Sequence, residues 1–404
     1  MVAAGRLAGI LGIDRVMSFD MGGTSTDVSV LEGGPTVTRS TRISGLPLAL
    51  PMIDIHTIGA GGGSIVHLDP AGVLKVGPRS AGADPGPACY GKGVNATVTD
   101  ANLALGRMEP SWFLGGRMAL DPSRSLHALR RAGGSRGALE TARAALEVAL
   151  SHMEKALKTV SVERGHDPRD FTLFAFGGAG PMHACELAER LEMSRVVVPP
   201  YPGLFSSLGM LLAEPGRDYS RTMIGPLEPT FMPILEQAFE QLEQGALLEM
   251  SREGFESSHL KLNRMLALRY HGQSHEVTVA PSRLEHQHIL GLFESTYHRE
   301  FGYQRTGQAV EVVHLHLNCR AAAGPPVFEA PATQGPPPSE LPRERLVHFG
   351  SAVPAGLFHR SDIDASREIS GPALVLQEDS TVVVPPRWQA TGHRSGSLLL
   401  ERRG

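Results

Sequence analysis

The sequence predicts a mixed α/β protein, and three features carry that prediction. Residues 16–31 hold two apolar runs separated by a Gly-Gly turn, which is typical of a β-hairpin. Residues 138–164 have apolar side chains at helical spacing with charges between them, which predicts the clearest helix of the chain. An apolar run at 171–176 enters glycines at 177–180 and then a helix at 183–191. Strands and helices are therefore expected in one α/β domain.

The composition excludes several classes of function. The 404 residues have a formal net charge of −4, so the chain lacks the basic footprint of a nucleic-acid-binding protein. Aromatic residues make up only 5%, which also argues against base stacking as the main activity. No run approaches the roughly 20 apolar residues of a membrane span. The three cysteines, Cys89, Cys185 and Cys319, are far apart, so no disulfide framework is expected and a cytoplasmic location fits.

The other elements follow from apolar spacing and from Gly and Pro punctuation. A short helix is expected over 1–13, with Gly12 near its end. Residues 51–100 are rich in glycine and predict long loops. Downstream, the pattern predicts a helix at 230–254, strands at 260–270 and 275–279, a helix at 283–301, a strand at 310–318, and short strands at 373–376, 381–384 and 397–400.

The stretch from 19 to 30 is the most informative. From its first aspartate to its second, the polar and glycine positions are, in order, Asp20, Gly22, Gly23, Thr24, Ser25, Thr26 and Asp27. Glycines at such a turn let an anion approach the backbone, and successive N–H groups form a nest for phosphate oxygens. The threonine hydroxyls can donate to phosphate, and Asp20 or Asp27 can hold a hydrated Mg²⁺. A plain hairpin with a Gly-Gly turn and no ligand is the alternative.

A second glycine turn lies at 177–180, where a strand ends and a helix begins near Pro181. Gly177, Gly178 and Gly180 would let a nucleoside or phosphate lie against bare backbone at the start of the helix. The alternative is a tight strand-to-helix turn in which glycine only permits close packing.

The order of these elements resembles the second half of the actin, sugar-kinase and chaperone ATPase superfamily. The hairpin resembles the second phosphate loop of that superfamily, and the later turn resembles its adenosine loop. The resemblance implies a ribonuclease-H-like lobe, here with a helical insertion and a small β-rich C-terminal module.

A closer resemblance is carried by five motifs in order, and the similarity continues to the C-terminal β-rich module, so it covers nearly the whole chain. The motifs lie at 19–28, 56–64, 80–91, 98–102 and 176–181. Together they resemble the hydantoinase/oxoprolinase family, which includes N-methylhydantoinase A, 5-oxoprolinase and the related chains of acetone and acetophenone carboxylases. The resemblance implies 1–225 as an ATPase lobe, with an α+β extension at 226–322, a Pro-rich linker at 323–344 and the β-rich module at 345–404.

The resemblance further implies an ATP-dependent hydrolase that opens a cyclic amide, such as a hydantoin or 5-oxoproline, after ATP phosphorylates the amide oxygen. ATP and Mg²⁺ are the implied cofactors. Asp20 would organise the metal, residues 22–26 would hold phosphate, Asp27 would orient water or metal, and residues 177–180 would seat the nucleoside. Two alternatives stay open, a subunit of an ATP-dependent ketone carboxylase and a non-catalytic nucleotide-binding or assembly remnant.

Partners are implied as well. A hydantoinase B-type subunit is expected, because the family works in hetero-oligomers. Family members also carry an N-terminal lobe with its own phosphate loop, whereas this sequence starts just before the second loop. We therefore expect that lobe to be supplied in cis or in trans, and little ATPase activity from this chain alone.

Asp54 and His56 are the candidates for substrate chemistry. Residues two apart in an extended strand share a face, and a carboxylate beside an imidazole suits an oriented base or a metal-ligand pair. The alternative is a polar strand end whose histidine caps the glycine loop. Asp84 and Asp100 could bind metal, although bracing of turns is favoured, and His183 is expected to pack near the start of its helix.

Overall fold

The computed structural model describes most of the chain as two units. The described residues are 1–34, 52–305, 307–321, 328, 342–364 and 366–403, with the backbone of three short strands between 37 and 48. One unit comprises Met1–Leu212 and Pro326–Gly404, and the other comprises Ala213–Pro325.

The helices and strands have the following bounds in chain order. The helices are α1 (Val2–Leu11), α2 (Val98–Ala104), α3 (Pro122–Ala132), α4 (Ala138–Val160), α5 (Ala184–Arg190), α6 (Phe205–Leu211), α7 (Met232–Arg252) and α8 (His286–Phe301). The strands are β1 (Arg15–Met21), β2 (Thr26–Glu32), β3 (Val37–Thr38), β4 (Thr41–Ile43), β5 (Leu46–Leu48), β6 (Met52–Ile53), β7 (His56–Ile58), β8 (Ser64–Leu68), β9 (Leu74–Ser80), β10 (Thr172–Phe176), β11 (Arg195–Val198), β12 (Gly216–Pro226), β13 (Leu260–Tyr270), β14 (Val277–Val279), β15 (Val310–Ala321), β16 (Glu344–Phe349), β17 (Ser351–His359), β18 (Glu368–Ser370), β19 (Ala373–Leu376), β20 (Thr381–Val384), β21 (Trp388–Gly392) and β22 (Leu398–Arg402).

The first unit is built on a central mixed sheet with the strand order β18-β21-β22-β11-β10-β1-β2-β7. Strand β1 runs parallel to β10, which runs parallel to β11, while β2 returns antiparallel to β1 as the expected hairpin. Strand β10 is apolar and buried throughout, as expected for a strand covered on both faces. The predicted α/β class is confirmed.

Side chains along each strand alternate between the two faces of this sheet. Both faces carry apolar side chains, and helices cover each of them. On one face Val16 and Phe174 pack with Leu7 of α1 and with α6. On the other face Phe19 packs in a larger core with Leu146 of α4 and with α2, α3 and α5. Helix α1 ends at Gly12 in the left-handed conformation, as its sequence predicts.

The C-terminal residues contribute to two sheets of the first unit. Strands β16, β17, β19 and β20 form a sheet of their own, whereas β22 pairs with β11 and places Leu400 opposite Val196. Trp388 of β21 is fully buried and donates from its Nε1 to Glu189 at 2.8 Å. The β-rich segment at 345–404 therefore shares the central sheet rather than standing apart as the sequence suggested.

The second unit is an antiparallel sheet, in the order β12-β15-β13-β14, covered by α7 and α8. Its core contains Phe239 from α7, Phe293 and Tyr297 from α8, and Tyr270 from β13. The elements predicted between 230 and 318 are confirmed. The unit begins at residue 213 instead of 226, because β12 pairs along β15. The polar sequence of β12 does not show the apolar pattern of a strand. The linker predicted at 323–344 lies largely outside the described residues, and among those described no helix is long and apolar enough to span a membrane.

Candidate functional site

The tip of the β1–β2 hairpin is a four-residue turn at 22–25. Gly22 N donates to Ser25 O at 3.0 Å and closes the turn. Within the described part of the chain, the backbone N–H groups of Gly23, Thr24 and Ser25 have no hydrogen-bond acceptor. Gly23 and Thr24 are exposed, and Ser25 is half-buried. Successive free N–H groups of this kind form an anion-binding nest.

A second glycine loop supports this turn from behind. Gly62 N donates to Gly22 O at 3.0 Å, and Gly63 N donates to Gly23 O at 2.6 Å. A Cβ atom on Gly61 would lie only 2.7 Å from Thr24 N, so any larger residue would displace the turn. The motif at 59–64 is therefore glycine-rich because two backbones meet there without room for side chains.

Thr26 does not present its hydroxyl to a ligand. The side chain is fully buried, and its Oγ1 donates to Ala60 O at 2.5 Å. The expectation that Thr26 donates to phosphate does not fit this geometry, since its one hydroxyl hydrogen already ties the glycine loop to the hairpin. Thr24 remains exposed and can donate.

Asp20 and Asp27 lie opposite each other in the antiparallel register of β1 and β2. Ser206 of α6 donates to Asp20 Oδ2 at 2.5 Å, and Thr57 of β7 donates to Asp27 Oδ1 at 2.5 Å. Burial raises the pKa of Asp20, the Ser206 hydrogen bond opposes that shift, and the Asp27 charge adds to it. Two carboxylates flanked by hydroxyls fit Mg²⁺, which takes one or two carboxylates and completes its octahedron with water and phosphate oxygens.

The other two predicted catalytic residues lie elsewhere. His56 is opposite Val28 in the register of β2 and β7, and Val28 packs in the core beneath α4. Side chains alternate along a strand, so His56 faces the side of the sheet opposite to Asp27. Asp54 precedes β7, and its carboxylate pairs with both terminal nitrogens of Arg164. The structure therefore unites Asp20 with Asp27 and does not bring Asp54 or His56 to them.

The second glycine turn closes against the end of β1. Gly177 has φ 78°, and its N–H donates to Pro202 O at 2.8 Å. Ala179 N donates to Met21 O at 3.0 Å, which places the turn next to the hairpin. The helix that follows, α5, has only seven residues, so its dipole adds little to anion binding here.

A cavity of about 170 Å³ joins the two glycine turns. Gly22 and Gly23 form one part of its wall, and Gly178 and Ala179 form another. Its apolar walls come from distant segments and comprise Tyr90, Met108, Trp112, Phe113, Leu114, Met182 and Leu376. Apolar walls with a few well-placed polar groups are the usual form of a small-molecule site.

The β19–β20 turn supplies the polar part of this cavity. Gln377 and Ser380 line it, and both are more than nine-tenths buried. Gln377 Oε1 and Ser380 Oγ have no hydrogen-bond partner among the described residues. Asp379 accepts from Gly203 N at 2.8 Å, and burial raises the pKa of its carboxyl. Sequence reasoning missed these residues, because no local motif marks a turn between two short apolar strands as part of a distant site.

Comparison with known proteins identifies the family. The family model described as hydantoinase/oxoprolinase matches residues 1–219, and the model of the hydantoinase/oxoprolinase C-terminal domain matches residues 230–394. The chain belongs to the hydantoinase/oxoprolinase family. Its predicted resemblance to that family is confirmed.

Curated relatives and solved structures agree with this assignment. The alpha subunit of caprolactamase from Pseudomonas jessenii is 35% identical over 94% of the chain and 57% of its own length, and its crystal structure gives a TM-score of 0.79. 5-Oxoprolinase 1 of Arabidopsis thaliana is 28% identical over 99% of the chain and 34% of its own length. The nucleotide-free structure of an acetone carboxylase has a TM-score of 0.86 at 25% identity, covering 99% of the chain and 60% of its own. The chain thus spans 60% or less of the length of each.

In this family member the other polar motifs brace loops. Asp100 accepts from the N–H groups of Ala88 and Cys89 and from Ser125 Oγ at 2.7–3.1 Å. This confirms bracing for Asp100. His183 is fully buried at the start of α5, as predicted. Across the described ranges no group of three or more His, Cys, Asp or Glu side chains could hold a metal ion.

Proposed function

We propose that this chain forms the nucleotide-binding part of a subunit of an ATP-dependent cyclic amidase, with a hydantoin, 5-oxoproline or a related cyclic amide as substrate. One observation carries the proposal. Gly23, the first of the three residues with free N–H groups, lines the same cavity as Gly178 and Ala179 of the second glycine turn. Phosphate and nucleoside sites would thereby be adjacent on one surface of the first unit.

The nucleotide would lie with its phosphates at the hairpin turn and its base in the cavity. Its phosphates would accept hydrogen bonds from the N–H groups of Gly23, Thr24 and Ser25. Its base would enter the cavity between Trp112 and Leu376, where apolar walls favour an uncharged ring. Gln377 Oε1 and Ser380 Oγ would meet the polar edge of the base and gain the partners they lack.

Asp20 and Asp27 would hold the Mg²⁺ that accompanies ATP. When bound, the ion neutralises charge on the transferring phosphoryl group. The chain itself positions the two carboxylates through Ser206 and Thr57, and it keeps the phosphate turn rigid through the glycine loop at 59–64. Precise positioning of this kind is the main contribution of a protein to phosphoryl transfer.

The reaction would proceed in three steps. The γ-phosphoryl group passes to the amide oxygen of the substrate, the amide N–H proton is lost, and ADP leaves. The phosphorylated imidate is a stronger electrophile than the amide, so water adds to its carbon, and the ring opens as the C–N bond breaks and the nitrogen takes up a proton. The acyl phosphate that remains is hydrolysed by a second water to a carboxylate and phosphate. Asp54 and His56 stay outside this proposal, because Asp54 pairs with Arg164 and His56 faces the opposite side of the sheet.

The complete enzyme would need further parts. The relatives are considerably longer than this chain, and two of them carry subunit designations, alpha for the caprolactamase chain and beta for the acetone carboxylase chain. We therefore propose that two further parts complete the site around the nucleotide. One is a second phosphate-binding lobe, in cis or in trans, and the other is a hydantoinase B-type subunit.

A ketone carboxylase subunit is the second candidate, because the acetone carboxylase structure has the higher TM-score of the two neighbours described above. In that reaction ATP would activate an enol or carbonate oxygen. The two functions separate when the assembled complex is given ATP with 5-oxoproline, hydantoin or caprolactam, or with acetone and bicarbonate. Phosphate release that depends on a cyclic amide supports the amidase, and release that requires acetone and bicarbonate replaces it with the carboxylase.

Nucleotide binding is tested by titration calorimetry with MgATP. We expect Asp27→Asn to weaken binding of MgATP but not of ATP in the presence of EDTA, because the carboxylate acts on the metal. Asp84→Asn is the matched control, since Asp84 is exposed and pairs only with Lys92 among the described residues. Equal MgATP affinity in the wild type and in Asp27→Asn would refute the assignment of the metal site.

A further inference from the structure

A second cavity lies on the other side of β7 from Asp27. His56 and Ile58 line it, whereas Thr57 between them bonds Asp27 on the opposite face. The cavity has a volume of about 600 Å³ and lies between β7, the β8–β9 hairpin and α4. Small residues, including Gly59, Ala60 and Ala156, line it together with longer polar side chains.

Every ionisable side chain that lines this cleft is basic. They are His56 from β7, His67 from β8, Lys75 from β9, and His152 and Lys155 from α4. Residues 152, 155 and 159 recur at helical spacing, so one face of α4 supplies an imidazole, an ammonium and the Thr159 hydroxyl. The three elements that surround the cleft thus all contribute positive or protonatable groups.

Acidic groups near the cleft compensate this charge only in part. The Lys75 Nζ atom lies 3.9 Å from Asp69 Oδ2, and both side chains are partly exposed to solvent. Glu163, just beyond the end of α4, accepts a hydrogen bond from the Thr159 hydroxyl. Glu154 of the same helix pairs with Lys158 and Arg190 instead. Within the described ranges, neither the Lys155 nor the His56 side chain forms an ion pair or a hydrogen bond.

We propose that this cleft binds a small oxyanion, either a phosphate or the carboxylate of an organic acid. A carboxylate is planar and a phosphate is tetrahedral, but the oxygens of both accept hydrogen bonds from ammonium and imidazole donors. Several cationic groups in one concave site strengthen the binding of either anion. The Thr159 hydroxyl already donates to Glu163, so the lysine and histidine side chains are the donors available to the anion. This binding site is separate from the nucleotide surface and does not depend on the proposed amidase activity.

The cleft and the hairpin turn at 22–25 share one structural support. Ala60 lines the cleft, and its carbonyl accepts the Thr26 hydroxyl that ties the glycine loop to the hairpin. An experiment must therefore distinguish an anion in the cleft from an anion at the turn. Residues that belong only to the cleft make that distinction.

The test is titration calorimetry of the full chain with inorganic phosphate and, separately, with acetate. We expect saturable binding of at least one anion, weakened about tenfold by Lys155→Gln and further by the double change Lys75→Gln and Lys155→Gln, because each removes a charged donor. Lys92→Gln is the matched control, since Lys92 is an exposed lysine outside the cleft. Phosphate alone identifies a phosphate site, and acetate alone identifies a carboxylate site.

Location is tested by histidine imidazole NMR on the same samples. We expect the signals of His56, His67 and His152 to shift with the bound anion, while the exposed His259 of the second unit stays unchanged. Binding without shifts at these three histidines, binding unaffected by the double substitution, or no binding of either anion would each overturn the proposal.

Discussion

Asp20 and Asp27 face each other across β1 and β2, on the side of the central sheet that packs against α1 and α6. Each carboxylate accepts a hydrogen bond from a hydroxyl on a different element, Ser206 for Asp20 and Thr57 for Asp27. Two like charges held this close destabilise each other unless a cation or a proton lies between them. This pair is therefore the natural place to test the proposed metal site.

We expect Asp27→Asn to lower the pKa of Asp20. Burial and the Asp27 charge both raise that pKa, and the substitution removes the second cause while leaving the first. Carboxyl ¹³C NMR titration of the two proteins measures the change. An unchanged Asp20 midpoint in Asp27→Asn would mean that the two groups do not interact.

Asp20→Asn should raise the free energy of unfolding at neutral pH in the absence of metal. The folded pKa of Asp20 is raised, so its contribution is fully present below the unfolded pKa and is lost as the pH rises through the folded pKa. Removal of the charge relieves that loss, and Asn can still accept from Ser206. Urea unfolding at pH 7 in EDTA provides the measurement, and a destabilised Asp20→Asn would contradict the argument.

His183 should make the protein less stable as the pH falls from about 6.5 to 4. Complete burial lowers its pKa to about 4, so between these two pH values the unfolded chain binds a proton at His183 and the folded chain does not. The contribution is present above the unfolded pKa and, at about 1.4 kcal/mol per pH unit, its full loss amounts to roughly 3 kcal/mol. Urea unfolding between pH 4 and 7 should show a shallower pH dependence in His183→Gln. The exposed His259→Gln should keep the wild-type slope, and an unaltered slope in His183→Gln would refute the prediction.

Substitution of two neighbouring glycines of the second turn by alanine should change the free energy of unfolding by very different amounts. At Gly177 a Cβ would lie 2.3 Å from Met21 O, and the backbone has φ 78°, so Gly177→Ala should cost about 3 kcal/mol or more. At Gly178 the nearest atom is Asp379 O at 3.6 Å, and Gly178→Ala should stay within about 0.5 kcal/mol. Thermal unfolding of both variants provides the comparison, and equal losses would contradict the argument that only Gly177 lacks room for a side chain.

Gln377→Leu should separate stability from nucleotide binding. The buried Oε1 has no partner in the described structure, so its removal should leave the melting temperature unchanged or raise it. If the base of ATP uses this atom, the affinity for MgATP should fall about tenfold. Gln237→Leu, on the exposed face of α7, is the control. A parallel loss of stability and binding would indicate a purely structural role for Gln377.

Local sequence was sufficient for most elements of both units. The hairpin at 16–31, the helix α4 and the strands and helices of the second unit have strong apolar periodicity, and periodicity is a local property. Strand β12 was not predicted, because its side chains are mostly exposed and polar and only its pairing with β15 defines it as a strand. The C-terminal strands were recognised as strands, but their place beside β11 depends on contacts about 200 residues apart in sequence.

The hairpin turn could be predicted from local sequence, since Gly22, Gly23 and the residues up to Asp27 specify a tight tip through backbone freedom alone. Which of the predicted residues meet at this turn depends instead on contacts between segments that are distant in sequence. Strand register and the alternation of side chains place Asp20 and Asp27 on one face and His56 on the other. The buried Thr26 hydroxyl and the apolar cavity likewise arise from segments distant in sequence, because burial is a property of the packed sheet and not of any single segment.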